Sequence, residues 1–145
     1  VGSFPELLKR LGEMPLSPIA PVAQFPVCSA IYVIFEAGKP LYVGRTRNLR
    51  RRLRNHLRLL PGQSAFAFRL ARELTGNPKA SYTTAGSRKM LMQDAGFRKA
   101  FTDSGARIAH MSVRWIEIAD PIAQHLFEVY VALAYETPYN DFDTH

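Results

Sequence analysis

Tyr32, Tyr42, Arg52 and His56 fall within one stretch, IYVIFEAGKPLYVGRTRNLRRRLRNHLR over residues 31–58. They offer the groups that anion chemistry uses. A guanidinium fork matches phosphate oxygens. An imidazole or a phenolate can take a proton from water. Projected at about 100° per residue, Leu49, Leu53, Leu57 and Leu60 make one apolar helical stripe. Arg50, Arg51, Arg54 and Arg58 cluster on the opposite side, and with Arg47 they are candidates for contact with a nucleic-acid backbone. Arg52 and His56, four residues apart and so one above the other, fall beside the leucines instead. A charge at a core edge needs a reason. Either Arg52 snorkels to water and His56 is a satisfied semi-buried histidine, or both point into a cleft over the preceding hairpin and hold an anion.

That hairpin is the first element needed to position these groups. Two β-branched and aromatic runs flank Ala37-Gly38-Lys39-Pro40. Alternation puts Ile31, Val33 and Phe35 on one face and Tyr32 and Ile34 on the other, while Tyr42 and Gly44 share a face of the second strand. A three-residue turn sets Tyr32 opposite Gly44 with both tyrosines on one face; a four-residue turn does not. In the first case the missing side chain at Gly44 leaves room for a ligand; in the second the tyrosines simply pack in a sheet.

The remaining chain reads as scaffold. Phe4 to Leu11 predicts a short amphipathic helix, and Pro15, Pro18, Pro21 and Pro26 then impose an extended arm. Ser64 to Leu74 and Arg88 to Phe101 predict helices, the first ended by Gly76-Asn77-Pro78. Met111 to Ile118 alternates as a strand. Asp120 as N-cap and Pro121 at N1 start a last helix, which runs to about Glu136. Its apolar face is expected to be Ile122, Leu126, Val129, Tyr130 and Leu133, with Gln124, His125, Glu128 and Glu136 on the other side. The expected fold is α/β of the α+β kind: a small, mainly antiparallel sheet, made of the hairpin plus one later strand, flanked by helices. Residues 1–27 read as a helix and arm, 28–145 as the main domain, with a helical insertion over about 61–106.

Ala30-Ile31-Tyr32, Leu41-Tyr42-Val43-Gly44, Arg45, Asn48-Leu49, Arg52 and His56 together resemble the GIY-YIG nuclease superfamily. Ala30 stands where the family has its first glycine, and Val43 where it has the isoleucine of its second motif. The family also carries a glutamate on a later helix and an asparagine twelve residues on, a pattern that Glu128 and Asn140 fit. The resemblance implies a metal-dependent DNA endonuclease. Glu128 would be the protein's one ligand to Mg²⁺ (or Mn²⁺), and Arg52 would hold the scissile phosphate. Arg45 would contact phosphate or lower a tyrosine pKa. Tyr42 would hydrogen-bond to water or phosphate, and Asn140 would steady the site. Tyr32 is a plausible base because nearby cations favour phenolate; His56 competes with a reference pKa of about 6.5. The alternative is a non-catalytic nucleic-acid-binding module of the same fold.

Composition fits a polyanion partner. The 145 residues carry a net charge of +7, much of it between Arg45 and Arg58. A single cysteine, Cys28, excludes an internal disulfide and any cysteine-based zinc site. No phosphate-loop pattern is present, and no apolar run approaches membrane-spanning length. The expected partner is DNA and not a membrane, with a homodimer or an upstream fused domain compatible with the chain. The expected setting is the cytoplasm, of bacterial or phage type, or another reducing intracellular compartment. The start at Val-Gly-Ser rather than Met reads as a piece of something longer.

Overall fold

The structure, a computed structural model, describes residues 3–59, 64–76 and 91–140. Leu60, Lys79, Arg88, Lys89 and Met90, and the polar connection over 81–86, lie outside the described residues. In chain order the elements are α1 (Phe4–Glu13), β1 (Ser17–Pro18), a 3₁₀ turn (Val22–Gln24), β2 (Ala30–Glu36), β3 (Lys39–Thr46), α2 (Leu49–Arg58), α3 (Ala65–Leu74), α4 (Ala95–Ile108), β4 (Ser112–Glu117) and α5 (Pro121–Tyr135).

The hairpin turn has two residues, Ala37 and Gly38, both at positive φ (51° and 79°), the backbone of a primed turn matched to strand twist. Glu36 sits opposite Lys39. Continued without interruption, that pairing would set Tyr32 against Val43 and put the two tyrosines on opposite faces. The register shifts between Ile34 and Phe35: Phe35 pairs with Pro40, Ile34 with Tyr42, and Leu41 is the extra residue. This is a β-bulge, placed beside a proline that has no N–H to give the ladder. Beyond it Tyr32 lies opposite Gly44. The arrangement expected from a three-residue turn is thus reached by a two-residue turn plus a bulge.

Among the described residues the sheet has four antiparallel strands in the order β1-β4-β2-β3, one more than the sequence suggested. The proline-rich arm supplies the extra one: Ser17 and Pro18 pair with Val113 and Ser112, an edge position where proline is tolerated. Ile19 and Phe25 of the arm are buried. Arg114 Nε donates to the Met14 carbonyl at 2.8 Å and holds the arm's start.

One sheet face is covered by α1 and α5. Leu7, Leu11, Ile31, Val33, Phe35, Val43, Ile116, Ile118, Phe127 and Val131 form this core. Asp120 caps α5 as expected, its carboxylate accepting from Ile122 N at 3.0 Å. The face of α5 that turns inward is not the expected one. Phe127, Val131 and Ala132 are buried, together with Gln124, whereas Ile122, Leu126 and Leu133 are 72%, 53% and 74% exposed. Apolar residues surround most of this helix, so their number does not choose its inward side. The large ring of Phe127 and the Gln124 amide do.

The chain divides into two compact units, Val1–Leu53 with His110–His145, and Arg54–Ala109. In the second, α3 and α4 pack through Phe68, whose ring centroid lies 5.1 Å from Phe97 and 6.2 Å from Phe101. Asp94 caps α4 through Phe97 N at 2.9 Å, and the helix runs seven residues past the expected end at Phe101, to Ile108.

Candidate active site

The entry to α2 is fixed by short polar residues. Thr46 Oγ1 accepts from Asn48 N at 3.0 Å, Asn48 Oδ1 accepts from Arg51 N at 3.0 Å, and Leu49 N donates to the Cys28 carbonyl at 2.9 Å. Asn48 is therefore the N-cap. Leu49 and Leu53 are fully buried and set the helix phase, which turns Arg52 toward the sheet. Arg52 does not snorkel away. Its Nε donates to the Tyr32 hydroxyl at 3.2 Å, and it also hydrogen-bonds Tyr42. Burial pulls the guanidinium pKa down, the two phenols pull it up, and the net direction is up.

Tyr32 is fully buried. Its ring lies over Gly44: a Cβ there would overlap the Tyr32 hydroxyl and ring. The space that glycine leaves is filled by the phenol, not kept for a ligand. Burial also overrides the expected cationic effect on its acidity. Desolvation pushes the Tyr32 pKa well up and Tyr42 adds to the push, whereas the Arg52 charge and hydrogen bond pull down without winning. Both upward effects favour the protonated phenol.

Glu128 comes to the same unit from α5. Its carboxylate, 15% exposed, lies 3.5 Å from Arg45 Nε. Burial raises its pKa, against the lowering effects of Arg45, His125 and Arg52. Arg45 is thus partnered with Glu128. Asn140 clamps the tail to β3: Oδ1 accepts from Val43 N and Nδ2 donates to the Val43 carbonyl, both at 2.8 Å. Tyr139 N adds a bond to the Leu41 carbonyl at 3.2 Å. These contacts bracket Tyr42 on the otherwise open edge of the sheet.

His56 is fully buried in the second unit, its ring edge-on to Phe66 at 6.4 Å. Among the arginines, Arg47, Arg51 and Arg58 are exposed and Arg54 is partly buried. Arg50 is not simply solvent-facing; its Nε donates to the Phe25 carbonyl at 2.8 Å and anchors the arm.

Sequence reasoning missed Gln124. It is 4% exposed, and its Nε2 donates to the carbonyls of Ala30, Thr46 and Ile118 at 3.3, 3.0 and 3.3 Å. It thereby ties α5, one turn before Glu128, to the start of β2 and the ends of β3 and β4. Nothing in a single sequence separates such a glutamine from a surface one. Gln124→Leu is expected to cost about 1–3 kcal/mol, measured by urea unfolding; an unchanged midpoint would remove it from this role.

Residues 28–85 match the family model of the GIY-YIG catalytic domain. No curated protein matches the chain significantly. Two solved structures are similar, both of the GIY-YIG N-terminal endonuclease domain of UvrC from Thermotoga maritima. They are tyrosine-to-phenylalanine point mutants, each described as bound to the catalytic divalent cation. Each is 15% identical, with 94% of this chain and 96% of the other covered, at a TM-score of 0.43.

Proposed function

Residues 28–85 of this chain belong to the GIY-YIG catalytic-domain family, and from that premise we propose that the protein is a divalent-metal-dependent DNA endonuclease. The observation that supports this reading best is local: Arg52 bonded to both Tyr32 and Tyr42, with Glu128 close enough for its charge to act on Tyr32 and to be acted on by Arg52.

The donor set fits the metal. Among the described residues no group of three or more His, Cys, Asp or Glu side chains could hold an ion. A single largely buried carboxylate suits Mg²⁺, which keeps several waters and takes substrate phosphate as ligand. Glu128 would hold the ion, which when bound would neutralise charge developing on the phosphate. The remaining work falls to the chain itself. Arg52 presents its fork to a non-bridging phosphate oxygen while the two phenols fix its orientation. Arg45, partly exposed, is free to exchange its bond to Glu128 for one to phosphate once the carboxylate is engaged. The water oxygen bonds to phosphorus, the bond to one ester oxygen breaks, the water loses a proton to the base, and the leaving oxygen takes one up. Tyr32 is that base in this reading, with Arg52 offsetting part of the cost of a buried phenolate.

The pH profile tests the base. A raised Tyr32 pKa leaves little phenolate at neutrality, and that fraction grows tenfold per pH unit. The cleavage rate is therefore expected to keep rising to pH 9 and beyond; a plateau near pH 7 would remove Tyr32 from that role. Incubating supercoiled plasmid with the protein, with and without Mg²⁺, tests the activity. Salt-sensitive binding without any metal-dependent nicking would instead support the nucleic-acid-binding module. Binding through about six phosphates is expected to weaken roughly 10³-fold between 50 and 200 mM salt, measured by fluorescence anisotropy. No helix among the described residues is long and apolar enough to cross a membrane.

A further inference from the structure

The outward side of α5 is the least expected surface of the molecule. Ile122, Leu126, Val129 and Leu133 lie within about 60° of one another around the helix and span about 17 Å along it. Three of them are more than half exposed. The stripe belongs to a helix with no lysine or arginine, in a chain of net charge +7, so it offers nucleic acid nothing. At its C-terminal end it runs into a groove of about 290 Å³, lined by Val129, Ala132, Leu133, Glu136, Thr137 and Asn140. Thr137 is 8% exposed, and its hydroxyl has no hydrogen-bond partner among the described residues.

The geometry points to self-association: two copies pair their α5 helices antiparallel about a two-fold axis, each filling the other's groove. Three features select a second copy as the occupant. The first is polar complementarity, an imidazole against a carboxylate. His125 and Glu136 lie on the same flank of the stripe near its opposite ends. An antiparallel two-fold pair brings equal flanks together, so a centre between residues 130 and 131 sets His125 of each copy beside Glu136 of the other, twice. The second is shape. With that centre, Leu133 of one copy falls between Leu126 and Val129 of the other, an interdigitation of the kind found in helix pairs. The third is the groove, since the same centre carries Leu126 of one copy to the level of Tyr135 in the other and Ile122 about one turn further, past the helix end where Glu136, Thr137 and Asn140 line the groove. The face is also the uncharged part of α5, where two cationic chains can approach with least repulsion. A single helix pair of this length lies at the small end of interface sizes, so the dimer is expected to be reversible at micromolar concentrations. The inference does not depend on nuclease activity.

Sedimentation velocity of the full chain, from about 1 to 300 μM in 0.3 M salt, tests it. The wild type should shift from monomer to dimer. Leu133→Glu, at an exposed position that folding does not need, should weaken association by at least about 30-fold with an unchanged circular dichroism melt. His125→Glu should weaken it too, and adding Glu136→Lys to that variant should restore it. A wild type that stays monomeric throughout would overturn the proposal, because the stripe would then have another occupant. A Leu133→Glu dimer as tight as wild type would place the interface elsewhere. Failure of the charge exchange to restore association would overturn the antiparallel pairing.

Discussion

Glu128→Ala is expected to slow Mg²⁺-dependent nicking of supercoiled plasmid about 10³-fold, with the protein still folded. The size follows from the donor set: with one carboxylate and no cluster of ligands among the described residues, nothing else in this group can hold the ion. Stability provides the control. Burial raises the Glu128 pKa in the folded chain. The folded state therefore binds the proton more tightly than the unfolded one, and the stabilisation this gives is present at low pH and lost as pH rises through the folded pKa. At neutral pH the ionised carboxylate costs stability, so the alanine variant should melt no lower than wild type. DNA binding measured without metal should persist. Equal nicking by wild type and variant would remove Glu128 from the metal site. A variant that neither folds nor binds would show its role to be structural.

Gly44→Ala should be the most damaging single methyl in the hairpin. The added carbon would overlap the Tyr32 ring and hydroxyl, in a residue with no exposed surface. The ring must move, and its bond from Arg52 Nε moves with it. Overpacking of this kind costs about 1–3 kcal/mol. A displaced phenol and guanidinium should lower cleavage by about 10²-fold or more. Tyr32→Phe separates the two effects: it keeps the ring over Gly44 and removes only the oxygen, so it should lose activity with little change in melting temperature. Full activity in Gly44→Ala, measured on the same plasmid, would mean that the Tyr32–Arg52 geometry does not matter.

Local pattern carried much of this molecule and failed at identifiable points. The hairpin faces, the buried side of α2 and the Asp120-Pro121 start of α5 follow from alternation, helical projection and cap chemistry, and the structure has them. The placement of Arg52 beside the leucines was legible for the same reason; that its partners would be two phenols was not, because register decides it. Alternation cannot see a bulge, and leucine is an ordinary strand residue at position 41. The arm's pairing with β4 was hidden because prolines argue against strands, although an edge accepts them. The inward face of α5 was misread because its aliphatic residues were more numerous on the wrong side. The acidity of Tyr32 was misjudged because the neighbouring charges could be read from the sequence, while the depth of burial could not.

The bulge at Leu41 has an evolutionary corollary. It decides the parity of β3, so the gain or loss of one residue between the turn and Tyr42 would send the second phenol and Gly44 to the side occupied by α1 and α5, and bring Val43 out in their place. Loop length in this hairpin should therefore drift among descendants in steps of two, or in single steps matched by the disappearance of the bulge.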